Sequence, residues 1–235
     1  MGCNSSTVVQ DARPAVDPKQ VVTFRYWNVR GGHRGNGTRY ILNYCGVNYK
    51  EETYTCTAGD NDWTRAKNNL GLEFPNLPHI VDGDFNITET IAVQQYIAKK
   101  WKPELLGKTP QERARVMQLH GITNEKCNNM LFTCFRQDDK AVTAKESLDG
   151  MEKTYEFLGD KKFLTGDQVT VPDFVIFEQT NFAIELNGAD KCWERYPNLK
   201  GHNERMKNLP GLKQFLESGK CHDKPFVAPF AKVTF

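Results

Sequence analysis

The chain has 235 residues, 39% of them hydrophobic and 26% charged, which suits one large or two modest domains with buried cores. Its 31 basic and 29 acidic residues leave a net charge of +2, and no stretch gathers the basic cluster that a nucleic-acid backbone attracts. No apolar run approaches the roughly 18 residues that span a bilayer.

Seven cysteines, an odd number with no CxxC pair, fit a reducing compartment rather than a disulfide scaffold. The five histidines show no metal-ligand spacing, so no metal site is expected.

The first six residues, MGCNSS, match an N-myristoylation pattern: Gly2 becomes the terminus once Met1 is removed, and Ser6 sits at the required offset. One myristoyl chain holds a membrane only marginally, on the order of 10⁴ M⁻¹, and a palmitate on Cys3 would supply the second anchor. Residues 7–20 carry Pro14 and Pro18 without periodicity and read as a flexible tether. The expectation is a cytoplasmic protein held at the cytosolic face of a membrane.

The β-rich run VVTFRYW (21–27) predicts a first strand, TRYILNYCG (38–46) a helix closed by Gly46, and VNYKEETYT (47–55) a second strand. A long polar connection follows over 56–70. HIVDGDFNI (79–87) reads as two short strands about Gly83. In the helix predicted over 88–101, Ile91, Val93, Ile97 and Ala98 lie on the apolar side. This order predicts a small mixed sheet with helices on its faces, and KPELLGKT (102–109) reads as a linker.

Beyond Thr109 the pattern is helical. A helix over 109–137 starts with Thr109 as N-cap, Pro110 at the first position and Glu112 in the first turn. Further helices are predicted over 144–159 and 170–188, the latter apolar nearly all round and opened by a Thr170–Asp173 capping box. Two short helices and an aromatic tail, KPFVAPF (224–230), close the chain. The organisation is therefore α/β plus all-α: a tether (1–20), an αβ domain (21–102) and a helical domain (103–235).

In LGLEFPNLPHIVDG (70–83), Pro75 and Pro78 run straight into the third strand. Proline lacks the N–H that a central ladder needs, so Pro78 belongs at a strand's start or on an edge.

Five stretches in register, YWNVRG (26–31), LGLEFPNLPHIVDG (70–83), ITETIAVQQYIA (87–98), TGDQVTVPDF (165–174) and YPNLK (196–200), resemble the cytosolic glutathione transferases, most closely the mu class. The resemblance covers about residues 21 to 230. It implies a thioredoxin-like N-terminal domain with a C-terminal helical bundle, working as a homodimer with no cofactor beyond glutathione as co-substrate. It also implies a cis Leu77-Pro78 bond, leaving the Leu77 main chain open to an extended tripeptide.

By the same resemblance Tyr26 is the catalytic hydrogen-bond donor to the glutathione thiolate, beside Trp27. Trp63 and Lys67 hold the glycine carboxylate, and Asn76, Leu77 and Pro78 form the backbone clamp. Glu89 and Thr90 open a helix whose N-terminus takes the γ-glutamyl end. Glu125 reaches the other subunit's glutathione. Trp27, Phe135 and Phe226 line the pocket for small hydrophobic electrophiles, and Phe74 is the aromatic key at the dimer interface.

Departures from the pattern are specific. GGHRGNG (31–37) is two residues longer and sets glycines beside Tyr26; Glu89 replaces a glutamine; Phe135 stands where mu enzymes have tyrosine; Asp60 and Asp62 precede Trp63 without an arginine. Two functions stay open at this point: an anchored conjugating enzyme, or a non-catalytic scaffold subunit of a larger assembly. A thiol–disulfide oxidoreductase is excluded, because no cysteine lies near the start of the first helix.

Overall fold

The computed structural model describes residues 19–220 and 225–234. The acylation motif at Gly2 and Cys3 and most of the tether lie outside them. Strand β1 (Val22–Trp27) leads through a π-type turn (His33–Gly37) into α1 (Thr38–Tyr44) and β2 (Tyr49–Tyr54). Helix α2 (Asp62–Ala66), strands β3 (His79–Asp82) and β4 (Phe85–Thr88), and α3 (Thr90–Trp101) complete the first unit. The sheet order is β2-β1-β3-β4, with β1 parallel to β2 and the other pairs antiparallel.

Alternation decides which face each residue of β1 serves. Val22, Phe24 and Tyr26 point one way into the core, all within 3% exposure, while Arg25 and Trp27 point the other way and stay half-buried. Strand β3 is paired on both sides, which would forbid a proline within it. Pro78 stops one residue short of the strand, and the Leu77-Pro78 peptide is cis.

Two expected connections carry structure. The polar run 56–70 contains α2, held by a reciprocal cap. The Thr64 N–H donates to Asn61 Oδ1 at 3.0 Å, and the Asn61 N–H donates to Thr64 Oγ1 at 2.9 Å. At five residues this helix is too short to show a period, and its cap does the ordering that an apolar stripe does elsewhere. The 102–109 stretch folds as a 3-10 turn, Pro103–Leu106, that buries Leu105 completely and so packs as part of the core.

The second half is helical: α4 (Pro110–Arg136), α5 (Lys140–Asp149), α6 (Glu152–Leu158), α7 (Val171–Asn187), α8 (Ala189–Arg195), α9 (Pro197–Lys207) and α10 (Leu212–Glu217). Gly121 leaves α4 unbroken over 27 residues. The single helix expected over 144–159 is two, because Asp139 caps α5 earlier and the chain turns at Gly150 to bury Met151. Helix α8, which starts directly after Gly188, was not expected.

Helix α7 is buried along most of its length, as its composition required. The Asp173 carboxylate at its start accepts from the Thr170 N–H, the Leu164 N–H and the Thr170 hydroxyl, each at 2.8 Å, and it meets His202 Nε2 at 3.1 Å. One core cluster joins the sheet, α1 and α3 to the start of α7; a second fills the bundle and takes in Phe226, Val227 and Val233 of the tail.

Candidate active site

Parallel pairing brings the C-terminal ends of β1 and β2 to one end of the sheet, where the antiparallel β3 begins. Three segments therefore meet there: Tyr26-Trp27, the Cys56–Trp63 loop, and the turn before His79. A cleft of about 690 Å³ opens between this sheet end, α4 and the tail. Tyr26, Trp27, Trp63 and Phe135 line it.

Tyr26 is sealed on one side by the glycine-rich insertion. Its hydroxyl lies 3.5 Å from the Gly31 carbonyl oxygen, within donating reach. Gly31 has φ +69°, and a Cβ there would stand 2.4 Å from Tyr26 Cε1, so the backbone approaches the ring as only glycine allows. Burial pushes the Tyr26 phenol up to about 12, against the opposing pull of the Arg34 and Arg39 guanidinium groups. The phenol is a neutral donor and not a base across the physiological range.

Arg39 pins this insertion. Fully buried, it pairs through Nη2 with Glu51 Oε1 at 2.5 Å, while Nη1 donates to the carbonyls of Val29 and Arg30 and to Asn36 Oδ1 at 3.0–3.2 Å. Helix α7 reaches the same segment. Tyr40 donates to Glu178 Oε2 at 2.6 Å and Asn36 Nδ2 donates to Glu178 Oε1 at 3.4 Å. Burial raises the Glu178 carboxyl to about 7, the hydrogen bonds and Arg30 and Arg39 only partly offsetting it. The tail fastens the near edge, with the Arg30 N–H on Pro225 O at 2.9 Å and the Gly31 N–H on Phe226 O at 3.1 Å.

At the turn, Asn76 bridges Leu77 and Glu89. Its Oδ1 accepts the Leu77 N–H at 2.9 Å, and its Nδ2 donates to Glu89 Oε1 at 2.7 Å. The Leu77 N–H, expected to face outward unpaired, is thus satisfied by its own neighbour. Glu89 holds φ +74°, the single positive φ at a non-glycine among the described residues, and stands at the N-cap of α3 just ahead of Thr90. Such a backbone persists where its surroundings enforce it, and it marks candidate sites.

The remaining expected positions scatter. Lys67 opens a 3-10 turn one helical turn past Trp63, outside the residues lining the cleft. Glu125 is exposed on α4. Phe74 is 73% exposed, beside a separate surface groove. Phe226 does not line the cleft: its ring packs edge-on against Phe182 at 4.8 Å beneath the Arg30 guanidinium, and Phe230 takes the place beside Phe135 at 5.8 Å.

Other lining residues were not anticipated. Phe132 lies one helical turn before Phe135, a spacing readable on α4. Arg34 is a lone cation among glycines. Cys56 also lines the cleft, but burial pushes its thiol up to about 11, leaving it un-ionised and a poor nucleophile. Among the described residues no group of three or more His, Cys, Asp or Glu side chains could hold a metal ion, and no helix is long and apolar enough to cross a membrane.

Comparison with known proteins bears on the family and the fold. Residues 22–99 match the family model for the glutathione S-transferase N-terminal domain, and residues 125–219 match that for the C-terminal domain. The chain is 33% identical over 201 residues to the class-mu 26 kDa glutathione S-transferase isozyme 51 of Fasciola hepatica, covering 83% of this chain and 88% of that protein. It is 32% identical over 217 residues to glutathione S-transferase Mu 4 of Mus musculus, covering 89% and 97%. Among solved structures, the glutathione S-transferase Blo t 8 superposes with a TM-score of 0.73 at 22% identity, over 91% of this chain and all of that one.

Proposed function

This chain belongs to the glutathione S-transferase family, and on that premise we propose that it conjugates glutathione to small hydrophobic electrophiles, with Tyr26 donating a hydrogen bond to the thiolate. The observation that carries the reading is Tyr26 lining an apolar cleft edged by Trp27, Trp63 and Phe135. A free thiol near pKa 8.5 is only a few per cent ionised at pH 7. A donor that favours the thiolate by about 1.36 kcal/mol lowers that pKa by one unit, and two units raise the reactive fraction more than tenfold.

In this reading glutathione lies along the Asn76–Pro78 turn as an added strand, which requires the Asn76 oxygen to release the Leu77 N–H. Trp63 and Lys67 take the glycine carboxylate, and the free N–H groups at Glu89-Thr90 take the γ-glutamyl end. Phe74, exposed and aromatic, inserts into a second copy of the chain, which brings Glu125 towards the partner's glutathione. Acylation at Gly2 and Cys3 holds the dimer at a membrane, a reading supported by the MGCNSS sequence. A Gly2→Ala change should then move the protein to the soluble fraction.

The second reading is a scaffold that keeps the fold without turnover. Two observations favour it: the Tyr26 hydroxyl already faces Gly31 O, and the Leu77 N–H is already occupied. Turnover of a generic aromatic electrophile decides between the two. Conjugation that falls about ten-fold or more in Tyr26→Phe supports the enzyme. Retention on immobilised glutathione without turnover supports the scaffold.

A further inference from the structure

The cleft has one electrostatic exception. Of the described residues lining it, Arg34 alone carries a charge, and it comes from the inserted segment rather than from a strand or a long helix. Two contacts fix its plane: Nε donates to Asn128 Oδ1 at 2.8 Å, and the guanidinium carbon stands 5.3 Å from the centre of the Phe132 ring. That hydrogen bond uses one of the five guanidinium N–H donors, and no carboxylate among the described residues forms an ion pair with this group.

Arg39 and Arg25 differ from Arg34, since each is paired with a carboxylate, Arg39 with Glu51 and Arg25 with Glu52. Arg34 instead presents its remaining donors on the wall of an apolar cavity. The reduced dielectric there strengthens attraction for an anion, and a planar fork matches a carboxylate. The other walls are flat and aromatic: Trp27, Trp63, Phe132, Phe135 and Phe230.

We propose that this cleft selects flat aromatic molecules bearing a carboxylate, which pairs with Arg34 while the ring lies among the aromatic walls. The inference rests on the transferase reading for its chemistry and deepens it by naming a substrate class. In the conjugation step the glutathione sulfur forms a bond to an activated ring carbon, and a halide leaves that carbon with the bonding electron pair. The carboxylate takes no part and serves as the handle.

Binding can be read without turnover, through the fluorescence of Trp27 and Trp63 in the full chain, titrated with 2-naphthoate and with neutral 2-methoxynaphthalene. The expected result is tighter binding of the naphthoate by about ten-fold, the scale of a charge-assisted hydrogen bond, shrinking as salt is added. Arg34→Gln should abolish that preference and Arg34→Lys should keep part of it. Equal affinity for the two compounds in the native chain, or a preference that survives Arg34→Gln, overturns the proposal.

A turnover arm compares 4-chloro-3-nitrobenzoate with 1-chloro-2,4-dinitrobenzene in the presence of glutathione. Conjugation of neither compound defeats the transferase reading, while the naphthoate titration still decides whether Arg34 recognises anions.

Discussion

The hydroxyl of Tyr26 and the carbonyl oxygen of Gly31 stand 3.5 Å apart, joined across a segment in which glycine backbone replaces side chains against the phenol ring. The phenol is therefore positioned by main chain on one side and by the Arg39 network beneath. Perturbing either should be visible in both stability and turnover.

Gly31 and Gly32 make a matched pair for this. Both have positive φ, +69° and +52°, and Gly32 adds ψ −146°, a region that side-chain-bearing residues avoid, so alanine at either carries a backbone penalty of about 1–3 kcal/mol. A Cβ at Gly32 meets nothing within 4 Å, whereas one at Gly31 collides with the Tyr26 ring. Gly31→Ala should thus cost about 1–3 kcal/mol more than Gly32→Ala in urea unfolding, and it alone should reduce glutathione turnover.

Arg39→Met removes one half of a buried ion pair and strips donors from two carbonyls and Asn36. Glu51 keeps partial contact with water, so the loss should sit at the lower end of about 3–5 kcal/mol. The insertion should become protease-sensitive in the same variant.

Glu178 sets a pH dependence of stability. Its folded pKa, about 7, lies above the ordinary 4.5, so the folded chain binds the extra proton between those values. The Glu178 contribution to stability therefore falls as pH rises from about 4.5 to about 7, by up to roughly 3 kcal/mol, while burial lowers His79 and His120 to about 4, and their contributions rise with pH between about 4 and 6.5. Glu178→Gln should remove the falling part alone, so the difference between the two chains shrinks as pH rises to about 7. The carboxyls of Asp60, Glu112 and Asp149 are held low by hydrogen bonds, and they act in the opposite sense at more acid pH. Melting temperatures across pH 4.5 to 8 for both chains check this.

Phe74→Ala tests assembly. An exposed aromatic that anchors a dimer is worth at least about 2 kcal/mol, or some thirty-fold in the dimer Kd. Sedimentation at micromolar concentration should show a shift to the monomer with the fold intact.

Much of the architecture is readable where local signals coincide with packing. The Thr109/Glu112 and Thr170/Asp173 boxes start helices as their spacing implies, and Gly83 turns β3 into β4. Features set by tertiary contact were not readable. Asn61 and Thr64 order a helix too short to have a period, and burial of Met151 divides α5 from α6. Of the residues that the family resemblance singled out, Tyr26, Trp27, Trp63 and Phe135 lie together on one cleft. Phe226 and Phe230 share one aromatic tail, and only the packing of Phe226 on Phe182 separates core from cleft. Occupation of the Leu77 N–H by Asn76 is a rotamer outcome that no residue pattern specifies.

Because Val22, Phe24 and Tyr26 share one face of β1, the Tyr26 phenol is the last rung of a hydrophobic ladder and takes its aim from the rungs before it. A single-residue insertion upstream in that strand would rotate the phenol to the opposite side of the sheet and carry Phe24 out of the interior with it. The spacing between the interior and the phenol is therefore locked by the strand's alternation.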